Sequence, residues 1–119
     1  DNRRYEALLI EHTRMQEHVA ITDFRTCPNA PPGNRFLVYA LFPDAAVNIK
    51  IRFDANDKEK LAVSTGRSIF NDGCRVNLGA LLSRFEGGGH AGAASCVFDA
   101  AKADDYLPRI ISHLVNNSL

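Results

Sequence analysis

Val47-Asn48-Ile49-Lys50-Ile51-Arg52-Phe53 alternates apolar and polar residues without a fault. A period of two sets one row of side chains against a core and turns the other row away from it, which is the signature of a β-strand. Val47, Ile49, Ile51 and Phe53 form the apolar row, and Asn48, Lys50 and Arg52 the polar one. Just before it, Phe36-Leu37-Val38-Tyr39-Ala40-Leu41-Phe42 is an unbroken apolar run, as expected of a strand buried on both faces. The short link Pro43-Asp44-Ala45-Ala46 then predicts an antiparallel hairpin between the two. After it, the charged, turn-like residues 54–60 lead to Leu61-Ala62-Val63-Ser64-Thr65, a further strand. Lys50 and Arg52 put two cations on one sheet face. They can steer a polyanion, but the expectation is the solvated side of an edge strand.

Tyr5, Leu8, Leu9, His12, Met15, Gln16 and Val19 recur at helical spacing, opposite Glu6, Glu11, Arg14 and Glu17. They predict an amphipathic helix over residues 4–18, with His12 at the edge of the core and residues 1–18 as a connecting element. Residues 19–25 read as a strand and 26–34, with Pro28, Pro31, Pro32 and Gly33, as a loop. Asn71-Asp72-Gly73 is a turn signal. Asn77 suits the N-cap of a short helix carrying Leu78, Leu81, Leu82 and Phe85 and closed by Gly87. Residues 93–98 read as a strand and 101–116 as a terminal amphipathic helix. There Pro108 lies in the first turn, if Asp104 or Asp105 is the cap, or kinks a longer helix. The fold expected is α+β: a mixed sheet of about five strands with helices packed on it, and a glycine-rich loop between the short helix and the last strand.

The 119 residues make a single domain, 1–119, with formal net charge zero, so no global basic field draws in nucleic acid. No apolar run approaches the roughly 20 residues of a membrane helix, and no signal-peptide pattern is present. Cys27, Cys74 and Cys96 are odd in number and widely spaced, which fits buried thiols in a reducing cytoplasm better than a disulfide framework. With no C-x-x-C pair, zinc binding together with His90 is not expected. The chain starts Asp1-Asn2-Arg3-Arg4 without Met, as expected of a piece of a longer protein.

Chemistry concentrates in Glu86-Gly87-Gly88-Gly89-His90-Ala91-Gly92-Ala93-Ala94. Three consecutive glycines free the backbone of Cβ atoms, so a ligand can come close to its N–H groups. His90 adds a side-chain donor, and phosphate suits the combination. A bare triplet is equally read as a helix C-cap at Gly87 followed by a turn.

Taken in order, Gly66-Arg67-Ser68-Ile69, the helix start Asn77-Leu78-Gly79 and Gly87-Gly88-Gly89-His90-Ala91-Gly92-Ala93-Ala94 resemble the C-terminal, DHH-associated domain of DHH-family phosphoesterases. That domain is shared by RecJ-like nucleases, oligoribonucleases, cyclic-di-AMP phosphodiesterases and exopolyphosphatase-like proteins. The resemblance implies a partner N-terminal DHH domain whose aspartates and histidines hold two divalent ions, usually manganese, and hydrolyse a phosphoester or phosphoanhydride bond. This chain would grip the phosphate-containing substrate: a short oligonucleotide, nucleotide or polyphosphate. Gly87, Gly88 and Gly89 would supply backbone donors, His90 a phosphate or leaving-group contact and Arg67 a cation, with Ser68 and Ser64 weaker candidates for further hydrogen bonds. Glu86 and Ser95 stand where many members have glycine.

No Asp-His-His triplet occurs, and His12, His18, His90 and His113 are scattered, so no catalytic or metal-binding residues are assigned to this chain. The alternative is a non-catalytic interaction or homodimerisation domain, in which the glycine stretch is structural and a sheet edge meets the partner.

Overall fold

The computed structural model describes residues 2–31 and 33–119; Pro32 of the expected loop and Asp1 of the expected connection lie outside them. Its centre is a mixed six-stranded sheet, one strand more than expected, in the order β1-β2-β3-β4-β6-β5. The strands are β1 (Thr13–Gln16), β2 (Val19–Asp23), β3 (Val47–Phe53), β4 (Lys60–Arg67), β5 (Gly87–His90) and β6 (Ala93–Asp99). Among the described residues only β2 and β3 pair in parallel. The helices are α1 (Asn2–His12), α2 (Leu37–Leu41), α3 (Leu78–Ser83) and α4 (Ala103–Asn116), the last entered through a 3₁₀ turn, Ala100–Lys102.

Strand parity divides the core. Val47, Ile49 and Ile51 of β3, Leu61 and Val63 of β4, and Ala94, Cys96 and Phe98 of β6 point to the back, where Leu78, Leu81, Leu82 and Phe85 at α3 and Leu107, Ile110 and Leu114 of α4 cover them. Leu81, Leu82, Phe85 and Ile110 are fully buried; truncating one such leucine to alanine costs about 2–5 kcal/mol. On the front, Tyr5 and Leu9 of α1 and Val38 and Tyr39 of α2 pack with Ala20 and Phe24. These helices cover β2 and β3. The fronts of β4, β6 and β5 stay open, with Ser64, Ala93, Ser95, Val97 and His90 exposed.

Three expectations are corrected. Residues 36–42 form no strand: Leu37–Leu41 is helix α2. A short apolar run carries no period, so helix and buried strand look alike in it. The topology decides, because β3 pairs in parallel with β2, and parallel neighbours need a crossover rather than a hairpin. The first helix stops at His12, and Thr13–Gln16 turns back as β1 through a tight turn at Glu17 (φ 51°) and His18. Met15 packs against the front core from a strand as well as it would from a helix, so the apolar spacing ran on past the true boundary. Lys50 and Arg52 lie on a central strand, flanked by β2 and β4, not on an edge.

Other readings hold. The Asn77 side chain caps α3, accepting from the Ala80 N–H at 3.0 Å. Asn71 Oδ1 accepts from the Gly73 N–H at 2.9 Å in the expected turn. His12 is largely covered and meets Phe24 edge-on, with centroids 5.5 Å apart. Pro108 departs from its expectation: α4 starts at Ala103 with Lys102 rather than Asp104 or Asp105 at its N-cap, so the proline lies in the second turn, where the Asp104 carbonyl has no N–H four residues on. All three cysteines are free thiols. No described helix is long and apolar enough to cross a membrane.

Candidate functional site

The glycine triplet is not a loose loop. Gly87–His90 is the edge strand β5, joined to β6 by the two-residue turn Ala91-Gly92. In an antiparallel ladder the hydrogen-bonding groups of alternate residues point toward and away from the partner, so part of the β5 amide row turns away from β6. The hairpin tip is held from two sides. The Arg67 N–H donates to the Gly92 carbonyl at 2.9 Å, and the Leu78 N–H to the Ala91 carbonyl at 3.0 Å.

Register separates the three glycines. Gly87 and Gly89 stand opposite Cys96 and Ala94, the buried row of β6, whereas Gly88 and His90 stand opposite the exposed Ser95 and Ala93. A Cβ on Gly87 would strike the Ser95 carbonyl, and one on Gly89 (φ 146°) would strike the Ala93 carbonyl and the Ala94 backbone. A Cβ on Gly88 would meet nothing within 4 Å. Gly87 and Gly89 are therefore required by packing. Gly88 is bare on an open face, in the same strand as the exposed His90 side chain.

The left-handed turn between α3 and β5 is taken by Glu86 (φ 71°), not by Gly87. The Glu86 side chain is already engaged. Its carboxylate accepts from Lys102 Nζ at 2.6 Å and from the Tyr106 hydroxyl at 2.7 Å. The Lys102 and Tyr106 hydrogen bonds hold its pKa below the ordinary carboxylate range, and the same carboxylate raises that of Lys102.

Arg67 ends β4 on the opposite side parity from Gly88 and His90. Its Nη2 donates to the Val76 carbonyl at 2.7 Å, its aliphatic stem touches the space beside Gly92, and its buried Nε has no partner among the described residues. Ser68 is buried; its Oγ accepts from the Phe70 N–H at 3.0 Å and its N–H donates to the Ala46 carbonyl at 2.9 Å. So the structure brings Gly88 and His90 together on the open face, sets Arg67 against the hairpin tip, and uses Ser68 to shape the loop carrying the exposed Ile69 and Phe70.

Sequence reasoning left out what else lies on that face. Lys50 pairs with Ser64, Ser64 with Ser95, and Ser95 with Gly88, one rung running across four strands. The parity of each strand was readable, but the registers that join them were not. Among the described residues no group of three His, Cys, Asp or Glu comes together as a metal ligand set.

No protein-family model matches the sequence, and no curated protein matches it. Solved structures do. The chain superposes on the pGpG-specific phosphodiesterase PggH from Vibrio cholerae with a TM-score of 0.90 and 26% identity over 96% of its length. It spans only 38% of that protein. An exopolyphosphatase-related protein from Bacteroides fragilis follows at a TM-score of 0.67 and 13% identity, covering 96% of this chain and 35% of that one. A DHH domain from a member of a ribosomal-protein family gives 0.63 and 12%, covering 98% and 31%. The last two show the shared fold alone. The resemblance carried by residues 66–94 is borne out.

Proposed function

We propose that this chain, which has the fold of the DHH-associated domain of DHH-family phosphoesterases, is the substrate-gripping part of such an enzyme. The observation that carries the reading is the pairing of a bare Gly88 with an exposed His90 on an uncovered sheet face. A phosphate can approach the backbone at Gly88 without meeting a side chain, while the imidazole supplies a second donor. Gly87 and Gly89 hold the strand flat beneath it. Arg67 holds the hairpin tip and brings positive charge near it, and Ser68 orders the adjoining loop. Among the substrate classes open to the family, likeness to a pGpG phosphodiesterase favours a short phosphodiester.

Bond cleavage is assigned to a partner DHH domain, where manganese would activate water and stabilise charge on the phosphoryl oxygens. The described residues here do not form a site for that metal. What this chain contributes is position: a phosphate held still relative to the cleavage machinery lowers the entropic cost of reaching the transition state.

The test is titration with a 5′-mononucleotide, followed through the amide resonances of Gly88, Gly89 and His90. Movement that saturates, weakens in salt and is reduced in His90→Ala supports the reading. No movement at millimolar nucleotide overturns it. A second reading, docking of a protein partner, rests on Ile69 and Phe70, 69% and 71% exposed side by side. It expects partner capture to survive His90→Ala and to fail in Phe70→Ser.

A further inference from the structure

The geometry points to a second nucleotide subsite, in the basic groove between α1, the loop after β2 and the β3–β4 hairpin. The inference rests on the phosphate reading of Gly88 and His90 and says where the rest of the substrate goes. The groove is lined by Tyr5, Lys50, Arg52, Phe53 and Lys58, and it opens at Ser64. Asp54 also lines it and keeps its negative charge, accepting only the Asn56 N–H at 3.1 Å, while Arg25 is paired with Asp23 at 2.7 Å, so the cations Lys50, Arg52 and Lys58 outnumber the one unpaired carboxylate. None of the ion pairs among the described residues uses Lys50, Arg52 or Lys58. Three cations thus face one cleft in a chain whose net charge is zero. Lys50 is held in place: its Nζ donates to the Tyr5 hydroxyl at 2.8 Å and lies 5.5 Å from that ring centroid.

The groove is continuous with the phosphate face. The rung Lys50, Ser64, Ser95, Gly88 crosses the front of the sheet with only small side chains between its ends. Neighbouring strands lie about 4.8 Å apart, so Lys50 and Gly88 are separated by about 14 Å at the backbone. One phosphate cannot bind at both ends, whereas a phosphodiester-linked dinucleotide can lie along the rung. Its first phosphate sits at Gly88 and His90, the two serines offer hydroxyls along the way, and its second nucleotide meets Lys50, Arg52 and Lys58.

The experiment compares affinities of the intact protein for a 5′-phosphorylated dinucleotide and the matching mononucleotide. Arg52→Glu with Lys58→Glu changes exposed residues and avoids the core contact of Lys50. This double variant is expected to weaken the dinucleotide about tenfold and the mononucleotide less than about twofold, while His90→Ala weakens both. If the double variant affects neither ligand, or both equally, the second subsite is wrong, and loss of both ligands in His90→Ala leaves the phosphate reading standing. If His90→Ala affects neither, the phosphate reading falls and takes this one with it.

Discussion

Gly79 of α3 lies so close to Gly89 of β5 that a Cβ on the helix would run into the Gly89 carbonyl. The helix therefore rests directly on the backbone of the edge strand, and the glycine pair sets how flat that strand lies.

That contact separates the glycines that packing requires from Gly88, where a Cβ would meet nothing. Gly79→Ala is expected to destabilise the fold by about 1–3 kcal/mol, the usual cost of overpacking. Gly88→Ala should stay within about 0.5 kcal/mol, because its Cβ would point into open space. Urea unfolding measures both. The same Gly88→Ala protein should nevertheless bind a mononucleotide more weakly. Unchanged binding would mean that no ligand approaches the strand at Gly88.

The Glu86 ion pair makes a pH-dependent contribution with two limits. Its carboxylate is held below the ordinary 4.5, so its contribution is present above that value and is lost as pH falls through the lower folded one. Lys102 is held above 10.5, so its contribution is present below that value and is lost as pH rises through the folded one. Glu86→Gln should remove both limbs from the profile of thermal stability against pH. Because Lys102 and Tyr106 turn the carboxylate aside, the substitution should alter phosphate affinity by less than about twofold. A large gain in affinity would show that Glu86 opposes the anion after all.

The α3 cap reaches the site through the same packing. Asn77→Ala leaves the Ala80 N–H without its side-chain acceptor and should cost about 1 kcal/mol. Since α3 supports β5, amide exchange should speed up at Gly87–His90 as well as in the helix. Faster exchange confined to α3 would show that strand and helix open independently.

Thiol reactivity reports on the back core. Cys96 is buried and its pKa is pushed up to about 12 by burial, so little thiolate exists at neutral pH. Iodoacetamide should label the half-buried Cys27 first, and Cys96 only on unfolding. Mass spectrometry of the alkylated peptides reads the order; early labelling of Cys96 would contradict the packing of β6 against α3.

Much of this was legible residue by residue. Strict alternation marked β3, and Asn77 announced α3. The glycine-histidine stretch was singled out without its form, because a strand of glycines has no side-chain period to read. Arg67 and Ser68 are neighbours in sequence, yet one holds the hairpin tip from the other side and the other is enclosed in its own turn. Lys50 looked like an edge-strand cation because nothing near it in sequence tells which strands will flank it.

By itself the sequence determined the strong local elements and the α+β class, since alternation, capping and glycine freedom act over a few residues. Only the tertiary structure decided that residues 36–42 are a helical crossover, that Gly88 is open while Gly87 and Gly89 are packed, and that Lys50 shares a rung with Gly88. Those outcomes depend on strand order and register. Both are set by contacts between residues far apart in the chain, and no local pattern encodes them.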